Sequence, residues 1–188
     1  MKNLTYSLNK LPQTVFTTRE IALILEETNP DLVKSKINYY VKRGEVFALR
    51  RGVYSKDNKF NPLELATKMY TPSYVGFETI LVKHNVVFQY DSQIQLASYL
   101  TRKIKVKETK IFYKKIKDEI LNDPAGIEYT NYFPEATVER AFLDTVYIYG
   151  QRGFDNLKPI DFEKCQNMLS IYGGKITIKD LKSYAHNK

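Results

Sequence analysis

The apolar residues at the start of the chain recur at helical spacing in short blocks, and turn-forming residues separate the blocks. Leu4, Leu8 and Leu11 predict a short first helix over residues 1–11, and Pro12 should end it. This helix has one apolar face only, so we expect it to pack on the elements that follow.

A capping pattern marks the start of the next helix. Thr17 precedes an apolar run and Glu20 follows three residues later, so hydroxyl and carboxylate can bond the free amides of a first turn. The sequence therefore predicts a helix from Thr17. Residues 26–29 interrupt the pattern with turn-forming side chains, so this helix should be short.

A second capping pattern, Asn29 followed by Pro30, predicts another helix, because the proline ring already holds a helical φ. This helix should run to about Arg43, with Gly44 as its left-handed cap. Its apolar side chains share one face, and its other face is polar. The polar face carries Asp31, Ser35, Asn38, Tyr39 and Lys42.

After the second helix the apolar period changes from helical to two. Residues 46–49 and 53–54 predict two strands, and residues 50–52 form a tight basic turn between them. Two helices followed by such a hairpin predict a winged helix-turn-helix over residues 1–58. In these modules the second helix enters the DNA major groove, and the hairpin contacts the flanking backbone or minor groove.

The remaining residues, 59–188, predict a second domain that mixes helices and strands, so the whole chain is predicted to be α+β. Polar residues 56–59 mark the boundary. Residues 137–149 form the clearest helix, and apolar side chains on both of its faces predict burial from two sides. The other predicted helices cover residues 62–70, 77–84, 161–172 and 178–185. The predicted strands cover residues 86–90, 93–100, 102–107, 110–116 and 127–132.

Composition narrows the class of partner. The chain has 188 residues, a formal net charge of +8 and a sequence pI near 9.3, which favours a polyanionic partner. Cys165 is the only cysteine, and neither His84 nor His186 has a nearby ligand pattern, so we expect no disulfide, metal site or cofactor. No apolar run approaches the ~20 residues of a membrane span, so we expect a soluble, cytoplasmic protein.

A second concentration of charge lies between Arg102 and Lys117, with eight basic residues and one acidic residue. Lysines alternate there with apolar residues, which predicts a strand with one charged and one buried face. Two interpretations stay open: a solvated face or charged edge that blocks aggregation, and a surface for DNA backbone, RNA or an acidic protein. The candidate residues are Arg102, Lys103, Lys105, Lys107 and Lys110.

The sequence predicts that the protein is not an enzyme. It contains neither a glycine-rich phosphate loop nor the flanking signature of an activated nucleophile. The alternative is a metal-dependent nuclease targeted by the winged helix, with Asp91, Glu108 and Lys110 as its site, because two carboxylates can hold Mg²⁺ beside a lysine. Glu108 and Lys110 form an E-x-K triplet, and such triplets also arise by chance in a chain rich in Lys and Glu. A further alternative is a protein-interaction module that uses the winged helix only as a scaffold.

Several short motifs follow one another in an order that is typical of one family. They are F-T-T-R-E (16–20), V-K-R-G-E (41–45), R-G-V-Y (51–54), P-L-E-L-A (62–66), S-Y-V-G-F-E-T-I-L (73–81) and A-T-V-E-R-A-F-L-D (136–144). With these motifs the chain resembles the AbiEi-type antitoxins of bacterial abortive-infection systems, a type IV toxin-antitoxin family. Val138 stands where that family often has proline, and Asn29 with Pro30 replaces the usual glycine between the DNA-binding helices.

The resemblance implies a transcriptional repressor that is also an antitoxin in phage defence. Such a protein is encoded beside a nucleotidyltransferase-like toxin and binds inverted repeats in their shared promoter. The resemblance also implies that the antitoxin counters toxicity through its second domain, without a stable complex with the toxin.

For this function the polar residues of the first domain divide into groups. Asn38 is the best candidate for reading a base, because its amide can pair with adenine through two hydrogen bonds. A winged helix of this size needs two copies to read enough base pairs, so we expect a homodimer or cooperative binding. The other candidates are Ser35, Tyr39 and Lys42 for the major groove, Thr18, Arg19 and Lys34 for phosphates, and Arg50 and Arg51 for the minor groove or its backbone.

Overall fold

The computed structural model describes residues 3–88, 92–129 and 132–185. Contacts within it divide the chain into two compact units, Met1–Met69 (unit 1) and Tyr70–Lys188 (unit 2). Helices and β-sheet occur together in each unit, so the α+β class predicted from the sequence is confirmed.

The first helices of unit 1 are α1 (Leu4–Asn9), α2 (Thr18–Leu25) and α3 (Pro30–Lys42). The predicted capping box is present: the Thr17 side chain accepts from the Glu20 amide, and the Glu20 carboxylate accepts from the Thr17 amide at 2.7 Å. Asn29 caps α3 by accepting hydrogen bonds from two amides of its first turn. Gly44 has φ of 70°, the left-handed conformation predicted after this helix. Local capping signals therefore set both helix starts.

An antiparallel sheet completes the architecture of unit 1. Its strands are β1 (Val15–Thr17), β2 (Phe47–Arg50) and β3 (Val53–Ser55), in the order β1-β3-β2. The hairpin of β2 and β3 was predicted. The strand β1 was not, because it has only three residues and exists through pairing with β3, where Val15 lies opposite Ser55.

The hydrophobic core of unit 1 lies between the helices and the sheet. The inner face of α3 contributes Val33, Ile37 and Tyr40, and α1 contributes Leu4 and Leu8. The Tyr40 hydroxyl accepts a hydrogen bond from the Leu4 amide at 3.2 Å, which ties α1 to α3. Since this face of α3 is committed to the core, the polar residues of the helix point outward.

The helix α4 (Pro62–Met69) also belongs to unit 1, whereas the sequence analysis assigned it to the second domain by placing the boundary at residue 58. The Glu64 carboxylate accepts from the amide and hydroxyl of Thr14 at 2.8 and 2.7 Å. Lys68 donates to Glu20 at 2.8 Å. These long-range contacts attach α4 to α2 and to the segment just before β1, so the polar residues 56–59 lie within unit 1.

Unit 2 is built on a six-stranded mixed sheet. Its strands are β4 (Ser73–Val75), β5 (Ile94–Ser98), β6 (Arg102–Val106), β7 (Thr109–Lys115), β8 (Ile127–Glu128) and β9 (Glu135–Ala136), in the order β6-β7-β5-β4-β9-β8. The strand β7 pairs antiparallel with β6 and parallel with β5. The charged strand β6 therefore lies at one edge of the sheet, and β7 is an inner strand.

The helices of unit 2 are α5 (Phe77–Lys83), α6 (Asp118–Leu121), α7 (Val138–Tyr149), α8 (Phe162–Asn167) and α9 (Ile178–Ala185), with a 3₁₀ segment at Leu169–Tyr172. Nine of the twelve residues of α7 are buried, which confirms the predicted burial from two sides. The helix predicted over residues 161–172 is divided at Met168 into α8 and the 3₁₀ segment.

Two strand predictions in unit 2 differ from the structure. Residues 86–88 form no strand; Val86 and Val87 are buried, so their β-branched side chains serve the core, and residues 89–90 lie outside the described part of the chain. The strand predicted over 127–132 is limited to β8 among the described residues. Across residues 3–88, 92–129 and 132–185, no helix has the length and apolar character needed to cross a membrane.

Candidate nucleic-acid interface

The outward face of α3 forms a shallow concave surface on unit 1. Helical spacing puts its polar residues on the side opposite Val33 and Ile37, which are in the core. Five predicted DNA-contacting residues are brought together here, with one acidic neighbour. The lining residues are Asp31, Lys34, Ser35, Asn38, Tyr39 and Lys42.

The centre of this surface offers hydrogen-bonding groups that the fold does not use. Ser35, Asn38 and Lys42 are exposed, and within the described ranges no side-chain hydrogen bond or ion pair involves them. The Asn38 amide can donate and accept at once, which is the pattern required for an adenine edge. Lys34 lies 3.4 Å from Asp31, but both are largely exposed, so this ion pair contributes little to stability.

Tyr39 is held in place by a residue that the sequence analysis did not select. Arg43 donates to the Tyr39 hydroxyl at 2.6 Å and lies over its ring at 5.3 Å. Arg43 also bonds the Glu45 carboxylate at 2.5 Å, and these two partners raise the pKa of its guanidinium. The side chain of Arg43 is still 57% exposed, so it adds positive charge beside the α3 surface. The i, i+4 spacing from Tyr39 was the signal available in the sequence.

The basic turn of the hairpin is fixed against the start of α2. The Thr18 amide donates to the Gly52 carbonyl at 2.9 Å, and the Thr18 hydroxyl donates to the same oxygen at 3.4 Å. Gly52 has φ of 80°, a conformation that favours glycine. Thr18 thus holds the hairpin turn in position. A phosphate contact by Thr18, as predicted from the sequence, would have to replace these hydrogen bonds.

The arginines predicted to contact the DNA backbone are accessible. Arg50 ends β2, Arg51 lies in the turn, and Arg19 occupies the first turn of α2; all three are exposed. Neither Arg19 nor Arg51 has a side-chain partner in the described part of the chain. The structure therefore presents guanidinium groups at the hairpin turn and at the start of α2.

The predicted second basic surface is split by the pairing of β6 and β7. Lys103 lies opposite Phe112, and Lys105 lies opposite Lys110, so these side chains share one face. Arg102 points to the other face, where its guanidinium lies 5.7 Å from the Tyr70 ring. Lys107 lies in the turn between the strands, with φ of 51°.

The two described residues of the alternative nuclease site, Glu108 and Lys110, are exposed on the surface of the β6–β7 pair. Glu108 is 95% exposed in the turn after β6 and pairs with Lys105 at 3.0 Å. Lys110 is exposed on β7, and Asp91 lies outside the described residues. In the described ranges no three His, Cys, Asp or Glu side chains are grouped as metal ligands. Burial raises the pKa of the Cys165 thiol to about 12, so it is not a reactive thiolate.

A buried ionic cluster in unit 2 was missed by the sequence analysis. Arg140 and Asp144, both in the A-T-V-E-R-A-F-L-D motif, are completely buried and paired at 3.2 Å. Asp144 also accepts hydrogen bonds from the hydroxyls of Tyr74 at 2.7 Å and Tyr172 at 2.9 Å. The cluster therefore joins α7 to β4 and to the 3₁₀ segment.

The arginine of this cluster has all of its donors occupied. Besides Asp144 and Tyr74, it bonds the backbone carbonyls of Ile120, Asp123 and Ala125. Burial alone would lower the pKa of Arg140, but the Asp144 carboxylate raises it, so the guanidinium stays charged. With no free donor and no exposure, Arg140 stabilises the loop after α6 and is not available to a ligand.

Comparison with known proteins does not assign the chain to a family or a function. No model of a known protein family matches the chain, and a search of curated proteins gave no significant match. The α3 surface and the hairpin turn are therefore the features of unit 1 that point to a function.

Proposed function

We propose that unit 1 is a winged helix domain that binds double-stranded DNA in a sequence-specific way. The observation that carries this proposal is the outward face of α3, where Ser35, Asn38 and Lys42 are exposed and have no partner among the described residues. The order of helices and strands, with a basic hairpin after α3, supports the same assignment.

In this proposal α3 enters the major groove and the hairpin contacts the flanking DNA. Asn38 reads adenine through its amide, and Ser35 and Lys42 bond neighbouring base edges. Arg51 and Arg50 bind the minor groove or its backbone. The +8 net charge strengthens association with any DNA, while the α3 residues select among sequences.

We further propose that the protein is a transcriptional repressor and the antitoxin of an AbiE-like system, as its motifs suggest. Two copies would occupy inverted repeats in its own promoter, each through one α3. Its functional partner would be a nucleotidyltransferase-like toxin that it counters without forming a stable complex.

The deciding experiment is a fluorescence-anisotropy titration of the purified protein against its own upstream duplex and a scrambled duplex, without metal, at two salt concentrations. We expect a preference of ~10³ or more for the native duplex, and weaker binding to both at higher salt. Equal affinity for the two duplexes would contradict sequence-specific recognition. Metal-dependent cleavage of the DNA, abolished by Glu108→Ala, would establish the nuclease instead.

A further inference from the structure

Unit 2 carries a charged surface on its own β-sheet. Lys103, Lys105, Lys110 and Phe112 share one face of the β6–β7 pair, and Lys114 joins them because it lies two residues beyond Phe112 in β7. We call these five residues the basic sheet face. The three lysines nearest the strand turn are exposed, and Phe112 and Lys114 are half-buried.

Protection of the sheet edge explains only part of this charge. Lysines on an edge strand discourage pairing with another chain, and Lys103 and Lys105 on β6 suffice for that purpose. The strand β7 lies inside the sheet, between β6 and β5, so Lys110 and Lys114 are not needed there for edge protection. Edge protection therefore does not account for Lys110 and Lys114.

The arrangement of the lysines also works against folding. Lys105 lies directly opposite Lys110, and like charges in this position destabilise a sheet. Glu108 pairs with Lys105, but its carboxylate is 95% exposed and screened by solvent. Lys110 has no side-chain partner among the residues that the structure describes. An anionic ligand would remove this repulsion.

Aromatic rings lie among the lysines. The Lys103 ammonium is 5.0 Å from the centre of the Phe112 ring, and the Lys114 ammonium is 5.2 Å from the Tyr149 ring. Tyr149, at the end of α7, is 45% exposed. A basic surface with partly exposed rings suits a chain of phosphates whose bases are unstacked, because bases stack on the rings while ammonium groups hold the backbone.

We propose that the basic sheet face, with Tyr149 at its margin, binds single-stranded nucleic acid. The lysines contact successive phosphates, and Phe112 and Tyr149 stack on bases. A duplex hides the faces of its bases, so the rings would have no role in duplex binding. This surface adds a second nucleic-acid ligand to the duplex proposed for unit 1 and does not depend on that proposal.

The test uses the full-length protein and labelled oligo(dT), oligo(U) and an unrelated duplex. The double variant Lys110→Gln/Lys114→Gln should weaken binding to single strands by roughly tenfold or more and reduce the salt slope by about 1.4, since each phosphate contact contributes about 0.7. The matched control, Lys158→Gln/Lys179→Gln, removes two exposed lysines elsewhere in unit 2 and should leave this binding unchanged. Binding of both oligonucleotides no tighter than binding of the unrelated duplex would overturn the proposal.

A second variant tests stacking without removing charge. Phe112→Leu keeps an apolar side chain but removes the ring, and it should weaken single-strand binding by roughly tenfold. It should also reduce the quenching of 2-aminopurine placed in the oligonucleotide, a change that loss of charge alone would not produce. The proposal is overturned if the control pair weakens binding as much as the lysine pair, if Lys42→Gln does so, or if the lysine pair affects only the duplex.

Discussion

Helices α3 and α7 are nearly equal in length but use their polar residues in opposite ways. Of the 13 residues of α3, three are buried, whereas nine of the 12 residues of α7 are buried. The polar groups of α7, Arg140 and Asp144, bond to each other and to the surrounding chain. Asn38 and Lys42 of α3 face solvent.

The contrast separates two uses of a polar residue. A charge that is buried and fully hydrogen-bonded contributes to the fold, and removing it leaves its partner uncompensated. A polar side chain that is exposed and has no partner can be removed at almost no cost to stability. Such a side chain is therefore a candidate for contacting a ligand. Substitutions on the two helices should therefore affect different measurements.

The largest effect is expected for Arg140→Met. Burial already raises the pKa of Asp144, and removing the guanidinium leaves this carboxyl without its counter-ion and three backbone carbonyls without the hydrogen bonds that Arg140 donates. The free energy of unfolding should fall by about 3–5 kcal/mol. Urea unfolding followed by circular dichroism measures the change. The matched variant on α3, Lys42→Met, should alter stability by no more than ~0.5 kcal/mol. A similar small change for Arg140→Met would contradict the buried cluster.

Asn38→Ala should weaken binding to the native duplex by about 1–3 kcal/mol and relax specificity at a single base pair, with unfolding unchanged. Anisotropy titrations against a set of single-base-pair operator variants measure this loss. Lys34→Ala is the companion variant: it should weaken binding to every duplex alike and reduce the salt slope by about 0.9. The same sequence-independent effect from both variants would show that the two roles are wrongly assigned.

Gly52→Ala should destabilise unit 1 by roughly 1–2 kcal/mol, because φ of 80° is unfavourable for a residue with a Cβ. Gly153→Ala is a suitable control, since no atom of the described residues lies within 4 Å of the added methyl group and its φ is not in the left-handed region. Thermal unfolding compares the two variants. If the control lost as much stability as Gly52→Ala, backbone strain at the hairpin turn would not be the cause.

The smallest effect concerns pH and Glu20. Burial raises the pKa of Glu20, but hydrogen bonds from Lys68 and Thr17 outweigh it, so the pKa lies below its ordinary value of 4.5. A lowered pKa stabilises the fold above pH 4.5, and this contribution is lost as the pH falls through the folded-state value. Glu20→Gln should therefore lose less stability than the wild type between pH 6 and pH 3, measured by thermal unfolding. Parallel losses would exclude this role for Glu20.

The elements that could be predicted from the sequence are those with local signals. The start of α2 could be predicted from Thr17 with Glu20, and the start of α3 from Asn29 with Pro30. The end of α3 could be predicted from Gly44. Short strands carry no such signal. The strands β1, β4 and β9 have only two or three residues each and depend on partners far away in the chain.

The candidate site likewise contains some features that local sequence patterns predict and others that depend on distant contacts. Helical periodicity was enough to collect Ser35, Asn38 and Lys42 on one face of α3. The bond between Thr18 and Gly52 could not be predicted, because it joins elements 34 residues apart through a backbone carbonyl. The burial of Arg140 and Asp144 was missed because their i, i+4 spacing is also typical of exposed ion pairs.

The contacts of α4 also limit how this protein could exchange parts with others during evolution. A recombination point at residue 58 would separate Glu64 from Thr14 and Lys68 from Glu20, leaving polar groups at the start of unit 1 without their partners. A crossover after Met69 would keep those bonds intact. We therefore expect residues 1–69 to be exchanged between genes as one module. The gene that receives this module would have to supply its second domain from the position equivalent to Tyr70.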